Sequence, residues 1–129
     1  MTQTILYGFA GVFLGNAALM WGDPQFWFQT IPGVAGTGGF NAHFIRDIAL
    51  VFLVSAAALF VGARNRDVPL AAFGAAWPCL HALYHIWIWI FHRDTAFDAI
   101  ALTNLIGIQL PAWGALSAAL HLSQKEALA

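Results

Sequence analysis

The sequence has few charged residues and a single cysteine. Only 9% of its 129 residues are charged, whereas 60% are hydrophobic. This composition is too apolar for an ordinary soluble domain of such length and predicts a protein of the lipid bilayer. Lysine occurs once, at Lys125, and the formal net charge is −1, so no basic surface could follow a phosphate backbone. We therefore expect no nucleic-acid partner, and Cys79 alone excludes a disulfide within the chain.

The apolar residues form four blocks, each long enough to cross a bilayer as a helix. The blocks cover residues 4–21, 41–63, 70–92 and 98–122, with approximate ends. They predict a single membrane domain, residues 1–129, that is all-α and folds as a bundle of four transmembrane helices. No Lys or Arg precedes the first block and no small-residue cleavage site follows it, so we expect a retained span rather than a signal peptide.

The long connection lies between the first two blocks and is rich first in aromatic residues and then in glycine. It contains Phe26, Trp27 and Phe28, followed by Gly33, Gly36, Gly38 and Gly39. Aromatic rings of this kind favour the headgroup layer.

The basic residues indicate the orientation in the membrane. The side that holds the two termini also holds Arg64, Arg66 and Lys125, which predicts a bacterial inner-membrane protein with both termini in the cytoplasm.

Polar residues lie at a common depth in the four blocks. Counted from the predicted periplasmic surface, each block has one about five to seven residues deep. An ionisable group in hydrocarbon is costly unless it faces a partner, water or a ligand, so a shared depth predicts a shared pocket. The predicted pocket residues are Asn16, His43, Arg46, Asp47, His85 and Asn104.

Two pairs of these polar residues have the spacing of metal ligands on a helix. His43 precedes Asp47 by four residues, and His81 precedes His85 by four. Side chains at this spacing lean toward one point, so two such pairs could surround a metal ion. Zinc, copper or iron suits three imidazoles and a carboxylate, and haem is a further candidate cofactor. The alternative is that the histidines only form hydrogen bonds within the bundle.

Arg46 and Asp47 are neighbours in sequence but do not face each other on a helix, because successive residues point about 100° apart. Each therefore needs its own partner. We expect Asp47 to pair with His85, and Arg46 to pair with Asp98 or Asp94. The alternative for Arg46 is that its long side chain reaches the lipid headgroups.

The remaining features of the blocks indicate helix packing. Small residues allow close approach of a neighbouring helix, and they form one stripe in the first block and another in the fourth. These stripes are Gly8, Gly11 and Gly15, and Gly107, Gly114 and Ala118. Pro78 and Pro111 each leave one backbone carbonyl without its helical donor, so they predict bends in the third and fourth helices.

Several of these features together resemble a known class of membrane protein. The second block opens with Phe44-Ile45-Arg46-Asp47-Ile48, the first carries glycines, a short arginine-containing loop follows the second, and the third bears histidines. This pattern resembles the small four-helix bacterial membrane proteins of the DoxX-like type. The resemblance implies the four-helix architecture and no particular chemistry.

Three classes of function are compatible with this sequence. The first is a protein whose periplasm-facing pocket binds a metal ion, haem, a quinone headgroup or another small polar ligand. The second is a non-catalytic accessory subunit of a larger membrane complex, docked onto other subunits or onto itself. The third is a proton-coupled carrier or small enzyme that uses His85 and Asp47 as an acid–base pair. We favour the first class, because the absence of a large soluble domain weighs against an enzyme.

Overall fold

A computed structural model describes residues 1–93 and 97–122, so Asp94 and Lys125 lie outside the described residues. The first four α-helices are α1 (Thr2–Gly22), α2 (Pro24–Thr30), α3 (Ala42–Asn65) and α4 (Val68–His92). A short 3₁₀ turn lies between α2 and α3, at Val34–Thr37. The last helix, Ala99–Leu120, is named the C-terminal helix. Its parts are α-helical at Ala99–Thr103, π-helical at Asn104–Gln109 and α-helical again at Leu110–Leu120. The described residues contain no strand, so the all-α prediction is confirmed.

Three helices are long and apolar enough to cross a membrane: α1, α3 and the C-terminal helix. Their presence supports the predicted contact with a lipid bilayer. The helix α4 has 25 residues but is not among the three. Its length is sufficient for a span, whereas its histidines, tryptophans and prolines lower its mean hydropathy.

The starts of four helices are fixed by side chains of Asp or Asn. In each case the side-chain oxygen accepts a hydrogen bond from the backbone N–H three residues later, at 2.9 to 3.1 Å. Such a cap satisfies one of the backbone donors that the first turn of a helix leaves without a partner. The capping residues are Asp23, Asn41, Asp67 and Asp98.

The four long helices pack in a closed order around the bundle. The helix α1 packs on α3, α3 on α4, α4 on the C-terminal helix, and the C-terminal helix on α1. Neighbours run antiparallel: Gln3 Nε2 donates to the carbonyl of Ala63 at 2.8 Å, and Arg46 Nε donates to the carbonyl of Trp21 at 3.2 Å. Within the described residues, α1 and α4 have no close backbone contact, so they occupy opposite corners.

Glycines bring α3 and α4 into backbone contact. A Cβ atom added to Gly62 would lie 2.5 Å from the backbone nitrogen of Ala71, and one added to Gly74 would lie 2.8 Å from that of Leu59. Real Cβ contacts are not this short, so these two positions need glycine for the helices to pack as they do. The seam that holds the two helices together is therefore Gly62 with Gly74, which the sequence did not single out.

The two small-residue stripes expected from the sequence have different outcomes. In α1, a Cβ added to Gly8, Gly11 or Gly15 would have nothing within 4 Å, so the prediction of a close-packed seam there is wrong for the described chain. In the C-terminal helix, Gly114 receives the ring of Phe9 from α1, at 2.5 Å from an added Cβ. The contact at Gly114 is with a side-chain ring and not with a neighbouring backbone, so the expected close approach of a second helix is not shown there.

Alanine dominates the centre of the bundle. Most of the buried core residues are alanines from all four long helices, and the few large ones include Leu6, Phe13 and Leu59. Small side chains bring the helix axes close together and leave little free volume between them. Any binding site of useful size must therefore lie on the flanks of the bundle, between adjacent helices.

Candidate functional site

The predicted pocket residues lie at one end of the bundle, as the depth argument required. The last turn of α1 meets the first turns of α3, where Arg46 donates to the carbonyl of Trp21. On the other side, Ile86 and Trp89 of α4 border the same cleft as Asn104 of the C-terminal helix. These residues therefore share one end of the bundle, but their side chains separate around it.

Asp47 and His85 do not pair. The Oδ2 atom of Asp47 lies 3.3 Å from Nε2 of His43, with side-chain exposures of 55% and 89%. His43 is one turn away on the same helix, so this contact forms locally without any approach of α4. The ring of His85 instead contacts the rings of His81 and Tyr84 on its own helix. The expected Asp47–His85 pair is thus replaced by two local contacts on separate helices.

Arg46 does not reach Asp98 either. Its Nε atom donates to the carbonyl of Trp21, one of the carbonyls that the last turn of α1 leaves without a helical donor. Asp98 pairs with Arg93, with Nη2 and Oδ2 at 2.6 Å. The short sequence separation of Arg93 and Asp98 makes this pairing inexpensive. Asp94, the other expected partner of Arg46, lies outside the described residues.

The two asparagines serve different parts of the fold. Oδ1 of Asn16 accepts a hydrogen bond from Nε1 of Trp27 at 3.0 Å, and its Nδ2 contacts the sulfur of Met20 at 3.3 Å. The aromatic part of the connection was predicted as a loop, but it forms the helix α2, because Asp23 caps it and Pro24 suits its first turn. The hydrogen bond from Trp27 fixes α2 onto α1. Asn104 accepts from Nε2 of Gln109 at 3.1 Å in the C-terminal helix. The two amides therefore do not share a pocket.

No predicted metal site is assembled. Among residues 1–93 and 97–122, no group of three or more His, Cys, Asp or Glu side chains could hold a metal ion. The four proposed ligands form two separate pairs, His43 with Asp47 and His81 with His85. The two pairs remain apart because each consists of neighbours on one helix, and each finds its closest contact within its own helix.

A row of three rings follows one flank of α4 and is named the ring row: Trp77, His81 and His85. Trp77 and His81 are stacked with centroids 5.0 Å apart and planes at 10°, and His81 meets His85 edge to face at 4.6 Å. Trp77 also meets the ring of Phe52 from α3 at 5.0 Å. Because residues four apart share a helix face, the two imidazoles continue the α3-facing flank that Trp77 begins. Both are half-buried.

An apolar groove lies between α3 and α4 and ends at the ring row. Its volume is about 300 Å³, and its walls include Val51 and Val54 from α3 and Phe73 and Leu80 from α4. Trp77 belongs both to the wall of this groove and to the ring row. The α3–α4 flank thus changes from almost entirely apolar in the middle of the helices, where Ser55 is the one polar wall residue of the groove within the described part of the chain, to imidazole-bearing nearer the end that was predicted to be periplasmic.

A second cleft, named the C-terminal cleft, lies between α4 and the C-terminal helix and has a volume of about 320 Å³. Its walls are Ile86, Trp89, Phe97, Ala101, Asn104, Leu105 and Gln109. The π-helical segment of the C-terminal helix contributes three of them and ends just before Pro111, whose ring nitrogen cannot donate to the backbone. Instead of a bend alone, Pro111 is accompanied by a wider helical turn beside the cleft.

Gln109 organises the polar part of the C-terminal cleft. Its Nε2 donates to the carbonyl of Ala82 in α4 at 2.9 Å and to Oδ1 of Asn104, and its Oε1 accepts from Nε1 of Trp113 at 2.9 Å. Gln109 was not among the polar residues expected to matter, and Trp27 was expected only in the headgroup layer. The sequence did contain a signal for Gln109: it is a polar amide within an apolar block, and such a group needs a partner there, as Asn104 does.

The Arg93–Asp98 ion pair lies beside the C-terminal cleft, next to its wall residue Trp89. The guanidinium of Arg93 lies over the ring of Trp89, 4.8 Å from its centroid. Asp98 precedes the C-terminal helix and caps it through the backbone N–H of Ala101. This N–H, and then the Arg93 guanidinium, hold the pKa of Asp98 below its ordinary value, because both stabilise the carboxylate form.

Comparisons of the chain with protein-family models, with curated proteins and with solved structures give no match. The resemblance to proteins of the DoxX-like type therefore stays a prediction that these comparisons neither support nor refute. Function has to be inferred from the two flanks described above.

Proposed function

We propose that this chain is a four-span protein of the bacterial inner membrane, with both termini in the cytoplasm, that binds an amphipathic ligand on its α3–α4 flank. The ligand class that fits is a quinone-like ring with hydrogen-bond-accepting oxygens and an apolar tail. The observation that carries the proposal is the double role of Trp77, which borders the apolar groove and stacks on His81.

The proposal of a fourth span depends on the neighbours of α4. This helix lies between α3 and the C-terminal helix, both of which are long and apolar enough to cross a membrane. It contacts α3 at Gly74, and the C-terminal helix where the thiol of Cys79 donates to the carbonyl of Ala112 at 3.4 Å. Two neighbours shield two sides of α4 from lipid, so α4 can carry histidines that an isolated span would not tolerate.

The groove and the ring row together match the two parts of such a ligand. The groove between α3 and α4 is lined almost entirely by apolar side chains, which suits a hydrocarbon tail. The neutral imidazoles of His81 and His85 can each donate one N–H to an oxygen of the headgroup. The indole of Trp77 offers an aromatic face to a flat ring. Among the described residues, no third His, Cys, Asp or Glu joins the imidazole pair to hold a metal ion, so we favour the organic ligand.

The test is the binding of a short-chain isoprenoid benzoquinone to the purified protein in lipid nanodiscs, followed by quenching of tryptophan fluorescence. His81→Ala and His85→Ala should each weaken binding about tenfold, the effect of losing one hydrogen bond of about 1.4 kcal/mol. Ala58→Leu, which fills the groove without touching the imidazoles, should also weaken it.

His121→Ala is the matched control, because His121 lies beyond the opposite end of the C-terminal helix and its ring contacts only the carbonyl of Ser117 among the described residues. This variant should bind the quinone as the unmodified protein does. Equal affinity of all four variants and the unmodified protein would contradict the proposal, provided that each variant retains the thermal stability of the folded protein.

A further inference from the structure

We propose that the C-terminal cleft binds an anionic phospholipid, with one acyl chain in the cleft and the phosphate at Arg93. This site lies on a different flank from the α3–α4 groove and takes a ligand of a different class. Three features carry the inference: an apolar cleft on the flank of the bundle, a guanidinium with one donor that has no partner among the described residues, and an amide whose donors likewise have no acceptor there.

The cleft itself suits a hydrocarbon chain. Its walls include Ile86, Trp89, Phe97 and Leu105, and its volume is about 320 Å³. It lies between two helices, one of which is apolar enough to cross a membrane, so its opening faces lipid when the chain is inserted. A soluble anion gains nothing from such walls, whereas an acyl chain does.

Arg93 supplies the charge. Its side chain is 21% exposed, and its Nη2 atom is held by Asp98. The Nη1 atom is buried and has no hydrogen-bond partner within the part of the chain that the structure describes. A buried donor without a partner is unfavourable, and a guanidinium can bind a carboxylate and a phosphate oxygen at the same time through different N–H groups.

Asp98 does not prevent phosphate binding. Its Oδ1 atom caps the C-terminal helix by accepting from the backbone N–H of Ala101 at 2.9 Å, and its Oδ2 atom pairs with Nη2 of Arg93, so Nη1 remains for a phosphate oxygen. Trp89 holds the guanidinium at the edge of the cleft, 4.8 Å above its ring. The charged group and the apolar walls are therefore fixed next to each other, as the head and tail of a phospholipid are.

Asn104 adds a polar contact inside the cleft. Its Oδ1 atom is occupied by Gln109, but among the described residues its Nδ2 has no acceptor. The side chain is half-buried on the wall of the cleft. Its two N–H donors suit the ester carbonyl that joins an acyl chain to glycerol, which lies a short distance from the phosphate.

The experiment is native mass spectrometry of the purified protein in detergent, with phosphatidylglycerol or phosphatidylcholine added at equal concentration. Both lipids carry the same acyl chains and a phosphate, so the comparison is confined to the headgroup, and the Arg93 variant tests the part of the difference that is due to charge. We expect phosphatidylglycerol to be retained about tenfold more, and Arg93→Gln to remove this preference. Asp98→Asn should preserve or increase it, because it leaves the guanidinium in place and removes a negative charge beside the phosphate site.

Arg64→Gln is the control for non-specific charge, since Arg64 lies in the last turn of α3 at the opposite end. It should leave the lipid preference unchanged, as should His85→Ala, which separates this site from the proposed quinone site. Excess inorganic phosphate should not displace the lipid. The inference is overturned if the two lipids bind equally to the unmodified protein, if Arg64→Gln matches Arg93→Gln, or if phosphate alone displaces the lipid.

Discussion

Replacement of Gly62 by alanine tests the contact that holds α3 against α4. The added Cβ would lie 2.5 Å from the backbone nitrogen of Ala71 and 2.8 Å from its Cα. These are backbone atoms, which cannot rotate away as the end of a flexible side chain can. The two helices must therefore separate, and the ring contact between Phe52 and Trp77 lies on the same interface.

The magnitude follows from two opposing effects. Alanine is favoured over glycine in a helix by about 1 kcal/mol. Overpacking of a close contact costs about 1–3 kcal/mol, and a clash with rigid backbone belongs to the upper part of that range. We therefore expect Gly62→Ala to lower the free energy of unfolding by about 1–2 kcal/mol. Gly11→Ala is the matched control, because a Cβ there has nothing within 4 Å and only the helical preference remains.

The assay is titration of the protein with SDS in mixed micelles, with helix content followed by circular dichroism. Gly11→Ala should shift the midpoint to higher SDS and Gly62→Ala to lower SDS, so the two substitutions should differ in sign. The same shift for both variants would refute the assignment of the close seam to α3 and α4. Stabilisation by Gly62→Ala would show that the helices are further apart than described here.

Three further predictions follow from side-chain contacts. Asp98→Asn should remove a pH dependence of stability. The pKa of Asp98 is lowered in the folded chain, so its carboxylate stabilises the fold above the ordinary carboxyl pKa, and this stabilisation is lost as the pH falls through the pKa of the folded state. The thermal unfolding temperatures of the two proteins should therefore converge in acid. Gln109→Leu should lower the free energy of unfolding in SDS by about 0.6–1.7 kcal/mol, since it removes the bond to Ala82 between two helices. Trp27→Phe should remove the hydrogen bond from α2 to Asn16 and increase cleavage of the α1–α3 connection by protease. Phe26→Leu, which changes an exposed ring of the same helix, should not.

Much of the fold could be predicted because the relevant signals are local. Apolar blocks of span length gave the long helices, and the described ends lie within a few residues of those expected. The capping residues Asp23, Asp67 and Asp98 stand immediately before helices, where a side-chain oxygen can satisfy a backbone N–H. The alternation of direction in an antiparallel bundle then places Asn16, Asp47, His85 and Asn104 at one end.

The candidate site could not be predicted to the same extent, because depth along a helix does not give direction around it. Asn16 and His85 belong to α1 and α4, which occupy opposite corners of the described bundle. Asp47 finds His43 one turn away, a contact that needs no second helix. A sequence shows which residues can pair at i and i+4, but the choice between a local partner and one on another helix depends on how the helices are rotated.

The glycines illustrate the same limit in the packing. The stripe of Gly8, Gly11 and Gly15 and the pair of Gly62 and Gly74 both permit close approach by their lack of a side chain. Only the second is used, since the backbone of Ala71 lies against Gly62 while the α1 glycines have open space around them. A small residue allows a contact without requiring it, and the partner helix must supply the complementary surface.

The narrow interior gives a physical reason why both proposed ligands are amphipathic. Alanines such as Ala63, Ala75 and Ala115 are fully buried where the helices meet, so polar groups have no central cavity to share. The half-buried His85 and Asn104 consequently lie on flanks of the bundle, which open toward lipid in the proposed four-span arrangement. A molecule that reaches them laterally must itself dissolve in the bilayer, and it gains from them only if it also carries hydrogen-bond acceptors. Water-soluble ligands fail the first condition and pure hydrocarbons fail the second, which leaves lipid-soluble molecules with a polar head.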